Sequence, residues 1–144
     1  MAQPKQGIAP DGRIMHYSVG ALIKRGPSYL LFDRVNAPLG YAGPAGHIDE
    51  GEDDPALAVA REVLEETGLI VTKSKLLYEE VLPFDTCGRG IEVHHWWFFE
   101  CEVSGAIRPQ PTESRNIGWY TPGVNWPEQI APPWAYWFRK LGIQ

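Results

Sequence analysis

The sequence predicts an α/β fold in which a mixed sheet carries helices on both faces. Strand patterns come first in the 144-residue chain, an amphipathic helix follows, further strands come next, and a second helix closes the chain. The longest strand pattern, over residues 91–103, has apolar or aromatic residues on both of its faces. This is typical of a strand that is covered on both sides at its centre.

The first third of the chain predicts a hairpin and a Gly- and Pro-rich connection. Residues 1–13 are polar and contain Pro and Gly, so we expect a loose lead-in. Residues 16–23 and 29–32 have strand patterns, and the turn residues between them predict a hairpin. Residues 38–46 are rich in Gly and Pro, and such a segment lets the backbone approach a ligand closely.

The central helix has clear ends and two different faces. Asp54 followed by Pro55 predicts an N-cap and a first helical position, and Gly68 predicts the end. At about 100° per residue, one arc of this helix is apolar, and a separate arc of about 100° carries three carboxylates. These belong to Glu62, Glu65 and Glu66.

Two interpretations of the acidic arc are open from the residues alone. Like charges at i,i+4, such as Glu62 and Glu66, are mildly destabilising, and a solvated helix face would explain them without a function. Alternatively, a hard divalent cation such as Mg²⁺ takes oxygen ligands, and carboxylates at i, i+3 and i+4 can reach one ion or a small cluster.

The second half of the chain completes the pattern. We expect a short apolar run at 69–72, a strand at 76–82, a loop at 84–90, the strand at 91–103 and a further strand at 116–121. Pro133 opens a last helix, and its spacing predicts a stripe that faces the core. The stripe consists of Trp134, Trp137, Phe138 and Leu141.

Two adjacent histidines within the strand at 91–103 are candidate ligands. His94 and His95 point to opposite faces of a strand and cannot share a metal ion. We therefore expect both side chains to be packed or hydrogen-bonded. The two cysteines, Cys87 and Cys101, are too few for a disulfide framework or a zinc site, and Cys101 is expected to be a buried thiol.

Composition limits the class of protein. The length suits a single domain over 1–144, and a net charge of −5 without a basic cluster argues against broad binding to nucleic acid or anionic membranes. No signal-peptide pattern and no membrane-spanning run is present in the sequence, so we expect a cytoplasmic protein. The sequence leaves open whether the chain forms a homodimer.

The stretch from residue 46 to residue 69 resembles the Nudix box. That pattern is a Gly, five residues, a Glu, seven residues, and then Arg-Glu-apolar-x-Glu-Glu-x-Gly-apolar. Gly46 and Glu52 match its first part, and residues 61–69 match its second part without a gap. Eight residues instead of seven separate Glu52 from Arg61. The extra residue must lie before Pro55, so that it lengthens the loop and leaves the helix register intact.

This resemblance implies a Nudix-like α/β/α sandwich and a magnesium- or manganese-dependent hydrolase. The implied reaction is cleavage of the pyrophosphate bond in a nucleoside diphosphate linked to another moiety, whose identity the sequence does not give. A Nudix-fold domain that binds or senses a nucleotide without cleaving it is the alternative. The implied partner is a small nucleotide-type molecule.

The resemblance also implies roles for residues of the box. It implies that Glu62, Glu65, Glu66 and the backbone carbonyl of Gly46 bind the metal ion. Glu65 is alternatively the group that orients or deprotonates the attacking water. Arg61 is expected to pair with Glu52 or Glu65 and to hold the helix side chains in place. The full set of box residues is Gly46, Glu52, Arg61, Glu62, Glu65 and Glu66.

Candidate residues also lie outside the box. Glu113 is expected in a loop where members of the family often carry an extra metal ligand or base. Arg34 is a candidate contact for a phosphate. Tyr41 and Phe84 are aromatic residues outside the core stripes, and one of them is expected to stack against the nucleotide base.

Overall fold

The computed structural model describes residues 3–84, 87, 90–110, 112 and 114–143. These residues form two sheets and two helices, in an α/β/α sandwich that confirms the predicted fold class. The strands are β1 (Gln6–Ile8), β2 (Ile14–Leu22), β3 (Lys24–Arg25), β4 (Ser28–Arg34), β5 (Gly40–Ala42), β6 (Ala45–His47), β7 (Ile70–Leu82), β8 (Val93–Ser104) and β9 (Ser114–Tyr120). The helices are α1 (Pro55–Thr67) and α2 (Pro132–Leu141).

The larger sheet is mixed, as predicted. Its strand order is β1-β2-β8-β7, and β6 pairs with β2 beside β1. The β2–β8 pair is parallel, whereas the β1–β2, β2–β6 and β7–β8 pairs are antiparallel. The smaller sheet has the order β3-β4-β5, with β9 paired to β4, and all its pairs are antiparallel.

Strand β8 confirms the prediction that its centre is covered on both sides. Phe99 and Cys101 belong to the buried cluster that α1 covers. Trp96 and Phe98 belong to a second buried cluster, which α2 covers. Because successive side chains of a strand point to opposite faces, the two helices lie on opposite faces of the sheet.

Helix α2 forms where its aromatic stripe predicted it, one residue earlier than expected. Trp134, Trp137 and Phe138 are buried, and Gly142 ends the helix in a left-handed conformation with φ of 75°. The Trp137 ring stacks on Phe98, with 4.9 Å between the ring centroids. This helix therefore supplies most of the aromatic core on its side of the sandwich.

The predicted hairpin is wrong in its main pairing. Strand β2 lies in the larger sheet and β4 in the smaller one, so β2 does not pair with β4, and the hairpin is reduced to the short pair β3–β4. Both edges of β2 are already occupied, one by β8 and the other by β1 and β6. The chain therefore changes sheets at Ile23, whose carbonyl accepts from the N–H of Leu30 at 3.0 Å.

Two further boundaries differ from the sequence predictions. The lead-in is not loose throughout, because β1 pairs with β2 and the N–H of Lys5 donates to the carbonyl of Ile48 at 2.8 Å. The runs predicted at 69–72 and 76–82 join into one strand, β7, which passes two register shifts against β8. Within the described part of the chain, no helix has the length and apolarity to span a membrane.

Trp137 provides a test of the aromatic core. Trp137→Ala should lower the free energy of unfolding by about 3–5 kcal/mol, because it leaves a large cavity between α2 and the sheet. Trp137→Phe should cost much less. It keeps a ring against Phe98 and Tyr78, and it removes a buried indole N–H that has no hydrogen-bond partner among the described residues.

Urea unfolding of both variants measures these differences. Val124→Ala is the control, since the Val124 side chain is 81% exposed and should change stability little. A cost for Trp137→Phe equal to that for Trp137→Ala would contradict this account of the core.

Candidate active site

Helix α1 carries most of the candidate site, and its ends form as predicted. The Asp54 side chain accepts from the N–H of Ala56 at 2.9 Å, Pro55 follows as the first helical residue, and Gly68 ends the helix with φ of 80°. The helix begins at Pro55, as expected if the extra residue between Glu52 and Arg61 lies before Pro55. The positions of the carboxylates on the helix are unaffected.

The buried face of α1 is not the face with the largest apolar side chains. Leu57 and Leu64 are 70% and 50% exposed, whereas Val59, Val63 and Glu66 are buried. The helix is thus turned so that part of its carboxylate arc faces inward. This orientation places acidic side chains beside β6 and at the mouth of a cleft.

Arg61 lies at the centre of the carboxylates. Its guanidinium binds Glu52 through two parallel contacts, Nε to Oε2 at 2.8 Å and Nη2 to Oε1 at 2.9 Å. Nη1 donates to Oε1 of Glu62 at 2.8 Å and lies 3.3 Å from Oε2 of Glu65. The predicted pairing with Glu52 or Glu65 is therefore present for both residues, and Glu62 is an additional partner.

The same guanidinium joins the helix to the loop that precedes it. Arg61 Nη2 donates to the backbone carbonyl of His47 at 2.9 Å and lies 3.5 Å from a carboxylate oxygen of Asp49. Glu52 in turn accepts from the N–H of Asp49 at 2.8 Å. The Arg61 hydrogen bonds hold the pKa of Glu52 below its ordinary value, so Glu52 stays ionised.

Glu62 packs against the backbone of Gly46. A Cβ atom added to Gly46 would lie 2.2 Å from the carboxyl carbon of Glu62, so any side chain here would displace the Glu62 carboxylate from its present position. The Glu62 side chain is 12% exposed, and burial raises its pKa to about 7 in spite of the neighbouring Arg61 charge. The two predicted metal ligands from distant segments are therefore in contact.

Glu65 and Glu66 complete the acidic group in two different ways. The Glu65 side chain is 58% exposed and points to the cleft that its carboxylate lines. Glu66 is buried, and its Oε1 accepts from the N–H of Ala45 at 2.8 Å. Residues of β6 and α1 are thus fixed to each other on both sides of Gly46.

These side chains line a cleft of about 580 Å³ whose other walls come from β2, β8, the segment after β4 and the start of α2. The size suits a nucleotide-type ligand. The cleft brings together six of the sequence candidates. They are Arg34, Gly46, Arg61, Glu62, Glu65 and Glu66.

The remaining candidates are placed elsewhere. Tyr41 packs edge-to-face on Tyr120, and its hydroxyl accepts from the Asn116 amide at 3.2 Å. Phe84 packs against Tyr136, with 5.7 Å between ring centroids. Neither ring is among the described residues that line the cleft. Glu113 lies outside the described residues.

The cleft also contains residues that the sequence analysis did not single out for it. Asp49, His47, Cys87, His94 and Trp96 line its walls. His47 and Asp49 lie within the Nudix box, directly after Gly46, so their position in the box was an available signal for both. His94 and Cys87 reach the cleft through strand pairing and a distant loop, which no local pattern reveals.

Comparison with known proteins identifies the family. The family model described as NUDIX domain matches residues 15–141. A MutT-like protein from Streptomyces ambofaciens is 32% identical over 122 residues, which are 85% of this chain and 73% of that protein.

Solved structures show the same fold. The crystal structure of a MutT NUDIX hydrolase from Burkholderia pseudomallei aligns with a TM-score of 0.76 and 23% identity, over 88% of this chain and 98% of that one. A NUDIX hydrolase from Nitrosomonas europaea aligns with a TM-score of 0.60 and 27% identity, over 73% and 71% of the respective chains. From the family match and these relatives, the chain belongs to the NUDIX family and is a Nudix-type hydrolase.

Proposed function

We propose that this hydrolase cleaves the pyrophosphate bond of a nucleoside diphosphate linked to another moiety, with Mg²⁺ or Mn²⁺ bound at the acidic group of α1. The observation that carries the proposal is the charge balance around Arg61. Four carboxylates lie within 3.5 Å of this one guanidinium, from Asp49, Glu52, Glu62 and Glu65. The excess negative charge favours a divalent cation.

The donor set fits a hard cation. Glu62, Glu65, Glu66 and the Gly46 carbonyl offer only oxygen atoms, which Mg²⁺ prefers. A side chain at residue 46 would displace the Glu62 carboxylate from its contact with the Gly46 backbone. A bound divalent ion would supply a water of lowered pKa and would neutralise charge on the phosphates.

The protein side chains have separate tasks in this proposal. Arg61 positions Glu52, Glu62 and Glu65 through the hydrogen bonds described above. Glu65, as the most accessible of the cleft carboxylates on α1, is the candidate that orients or deprotonates the attacking water. Glu113 stays a predicted additional base or ligand. Catalysis then depends chiefly on positioning and charge neutralisation, as is usual for phosphoryl transfer.

Arg34, Tyr41 and Phe84 are the candidate contacts for the substrate. Arg34 lines the cleft, and its Nε and Nη2 donate to the carbonyls of Pro38 and Ala37 at 2.8 and 3.3 Å. A guanidinium has five N–H groups, so Arg34 can still donate to a phosphate oxygen. Stacking of the base on Tyr41 or Phe84 stays a prediction; the two rings also pack on Tyr120 and Tyr136, respectively.

Other expectations from the sequence also remain predictions. They are the cytoplasmic location, the homodimer, and the lack of nucleic-acid and membrane partners. The identity of the linked moiety requires a screen. A panel of ADP-ribose, dinucleoside polyphosphates, nucleoside triphosphates and nucleotide sugars covers the main chemical possibilities.

The metal requirement is the first test. Hydrolysis of the best substrate in the panel should stop when EDTA is added and return when Mg²⁺ or Mn²⁺ is supplied in excess. Without the cation, the negative carboxylates and the negative phosphates repel each other. Release of the phosphate-containing product is measured. Hydrolysis at full rate by demetallated protein would contradict the proposed role of the acidic group.

Conservative replacement of the glutamates is the second test. Glu62→Gln, Glu65→Gln and Glu66→Gln should each lower kcat by about 10²-fold or more while the protein stays folded, because the amide keeps the shape but loses the charge. Glu102→Gln is the control, since Glu102 is 71% exposed and lies outside the cleft. A large loss of stability with little loss of kcat would show that the three residues are structural.

Glu62 also makes the stability of the metal-free protein depend on pH. Its pKa is about 7 in the folded protein, whereas the ordinary value, which applies to the unfolded chain, is 4.5. Between these pH values the folded state therefore binds more protons than the unfolded state. The stability contribution is therefore complete below about pH 4.5 and is lost as pH rises through about 7. In EDTA, the midpoint temperature of thermal unfolding should fall as pH rises from about 4.5 to about 7.

Glu62→Gln should make the midpoint less dependent on pH in the same window, because glutamine does not titrate. Wild-type protein and Glu102→Gln should behave alike. If the pH profile of Glu62→Gln matched that of the wild type, the buried Glu62 carboxyl would not be the group that causes the change.

A further inference from the structure

A second cluster of metal-binding side chains adjoins the cleft, which three of its four members line, and contains no carboxylate. Its members are His16, His47, Cys87 and His94, and each offers one ligand atom within 4.8 Å of the others. His16, Cys87 and His94 are buried, and His47 is half-buried. Three nitrogen donors and one sulfur donor thus lie close together. Gly46, Glu62, Glu65 and Glu66, by contrast, supply only oxygen donors to the proposed magnesium site.

Strand pairing places the histidines together. His16 on β2 is directly opposite His94 on β8 in the parallel pair. On the other edge of β2, His47 on β6 is opposite Ser18, two residues from His16 and on the same face of the sheet. The three ring centroids are consequently 4.9 to 5.9 Å apart.

Cys87 reaches the same point from the segment between β7 and β8. The N–H of Cys87 donates to the carbonyl of Ile91 at 3.0 Å, and its carbonyl accepts from the N–H of Gly90 at 2.9 Å. Its ligand atom lies within 4.8 Å of those of the three histidines.

The distances suit a tetrahedral ion. Two nitrogen ligands at about 2.0–2.1 Å from a tetrahedral zinc ion are about 3.3–3.4 Å apart. The Nε2 atoms of His47 and His94 are 3.4 Å apart. A nitrogen and a sulfur ligand are about 3.6 Å apart in such a site. All four ligand atoms lie within 4.8 Å of one another. Movements of about 1 Å would therefore bring them to the separations of a tetrahedral zinc site.

We propose that His16, His47, Cys87 and His94 form a site for a borderline-soft divalent transition metal, with Zn²⁺ as the natural ion. Three imidazoles and one thiolate are ligands that zinc accepts and that magnesium does not favour. Four protein ligands make a closed site, which is structural in type. Its role is to fasten the Cys87 segment to β2, β6 and β8 beside the cleft.

This site is separate from the proposed magnesium site but touches it at one residue. The His47 side chain belongs to the histidine cluster, whereas its backbone carbonyl accepts from Arg61 at 2.9 Å. Filling the cluster would therefore fix the position of the segment that supports Arg61. The zinc proposal stands whether or not the proposed hydrolytic reaction is correct, because its ligands and its test differ.

The chain contains a matched control for each kind of ligand. Cys101 is the other cysteine of the chain, is buried in the α1 core cluster, and burial raises the pKa of its thiol to about 12. His95 follows His94 but lies on the opposite face, where its Nε2 is 2.8 Å from Glu79. Neither belongs to the cluster.

The experiment uses the untagged full chain and Co²⁺ as a spectroscopic substitute for Zn²⁺. Wild-type protein, Cys101→Ala and His95→Gln should each bind about one Zn²⁺ per chain by elemental analysis. With Co²⁺ they should show the absorption of a tetrahedral site and a thiolate-to-cobalt charge-transfer band. Cys87→Ala should lose the charge-transfer band, and His94→Gln should bind Co²⁺ more weakly by at least the roughly 10–100-fold seen for lost outer-shell contacts.

A further variant distinguishes the histidine cluster from the carboxylates of α1, and two results would overturn the proposal. A combined Glu62→Gln, Glu65→Gln and Glu66→Gln variant should keep the charge-transfer band, because its changes affect the oxygen site only. Wild-type protein that binds no Zn²⁺ after dialysis against it and gives no tetrahedral Co²⁺ spectrum would overturn the proposal, even if a variant fails to fold. So would equal loss of the band in Cys87→Ala and Cys101→Ala.

Discussion

The guanidinium of Arg61 is the constraint on which the arrangement of the cleft depends. It holds carboxylates from the loop and from α1 at 2.8–3.5 Å, and it also binds the backbone of His47. These partners raise its pKa further above an already high value, so its charge is permanent. Removing it would leave several carboxylates facing one another at close range, which costs far more than an exposed ion pair gains.

This constraint also explains why α1 does not behave as an ordinary amphipathic helix. Spacing correctly separates an apolar arc from an acidic one, but it does not show which arc is turned inward. Contacts with Ala45, Gly46 and the loop require Glu62 and Glu66 on the inner side, and Leu57 and Leu64 are exposed as a consequence. The helix gives up part of its hydrophobic burial to hold charged groups in a fixed place.

The sequence predicted those elements whose signal is local. The aromatic stripe of α2 and the two-sided pattern of β8 are periodicities within one segment, and both formed as expected. The cap residues of α1 and the box spacing are also local. The pairing of β2 was mispredicted because a hairpin is the nearest solution along the chain, whereas β2 pairs with a strand more than seventy residues away.

The histidine cluster was missed for the same reason. The adjacent pair His94 and His95 does lie on opposite faces, so the reasoning that they cannot share a metal ion holds. It considered only sequence neighbours, however, and the register that places His16 beside His94 is a property of the parallel β2–β8 pair. The cysteine count was equally limited, because three imidazoles and one thiolate would complete the proposed zinc site without a second cysteine.

The two proposed sites meet at one short segment and would select different metal ions through the types of their donor atoms. At Gly46 and His47, the backbone and the glutamates of α1 present oxygen atoms to one side, while the imidazole of His47 turns to nitrogen and sulfur donors on the other. Mg²⁺ gives up its water ligands reluctantly and gains little from imidazole, whereas Zn²⁺ binds imidazole and thiolate strongly. Because His47 also anchors Arg61, loss of the softer ion would loosen the very segment that positions the carboxylates.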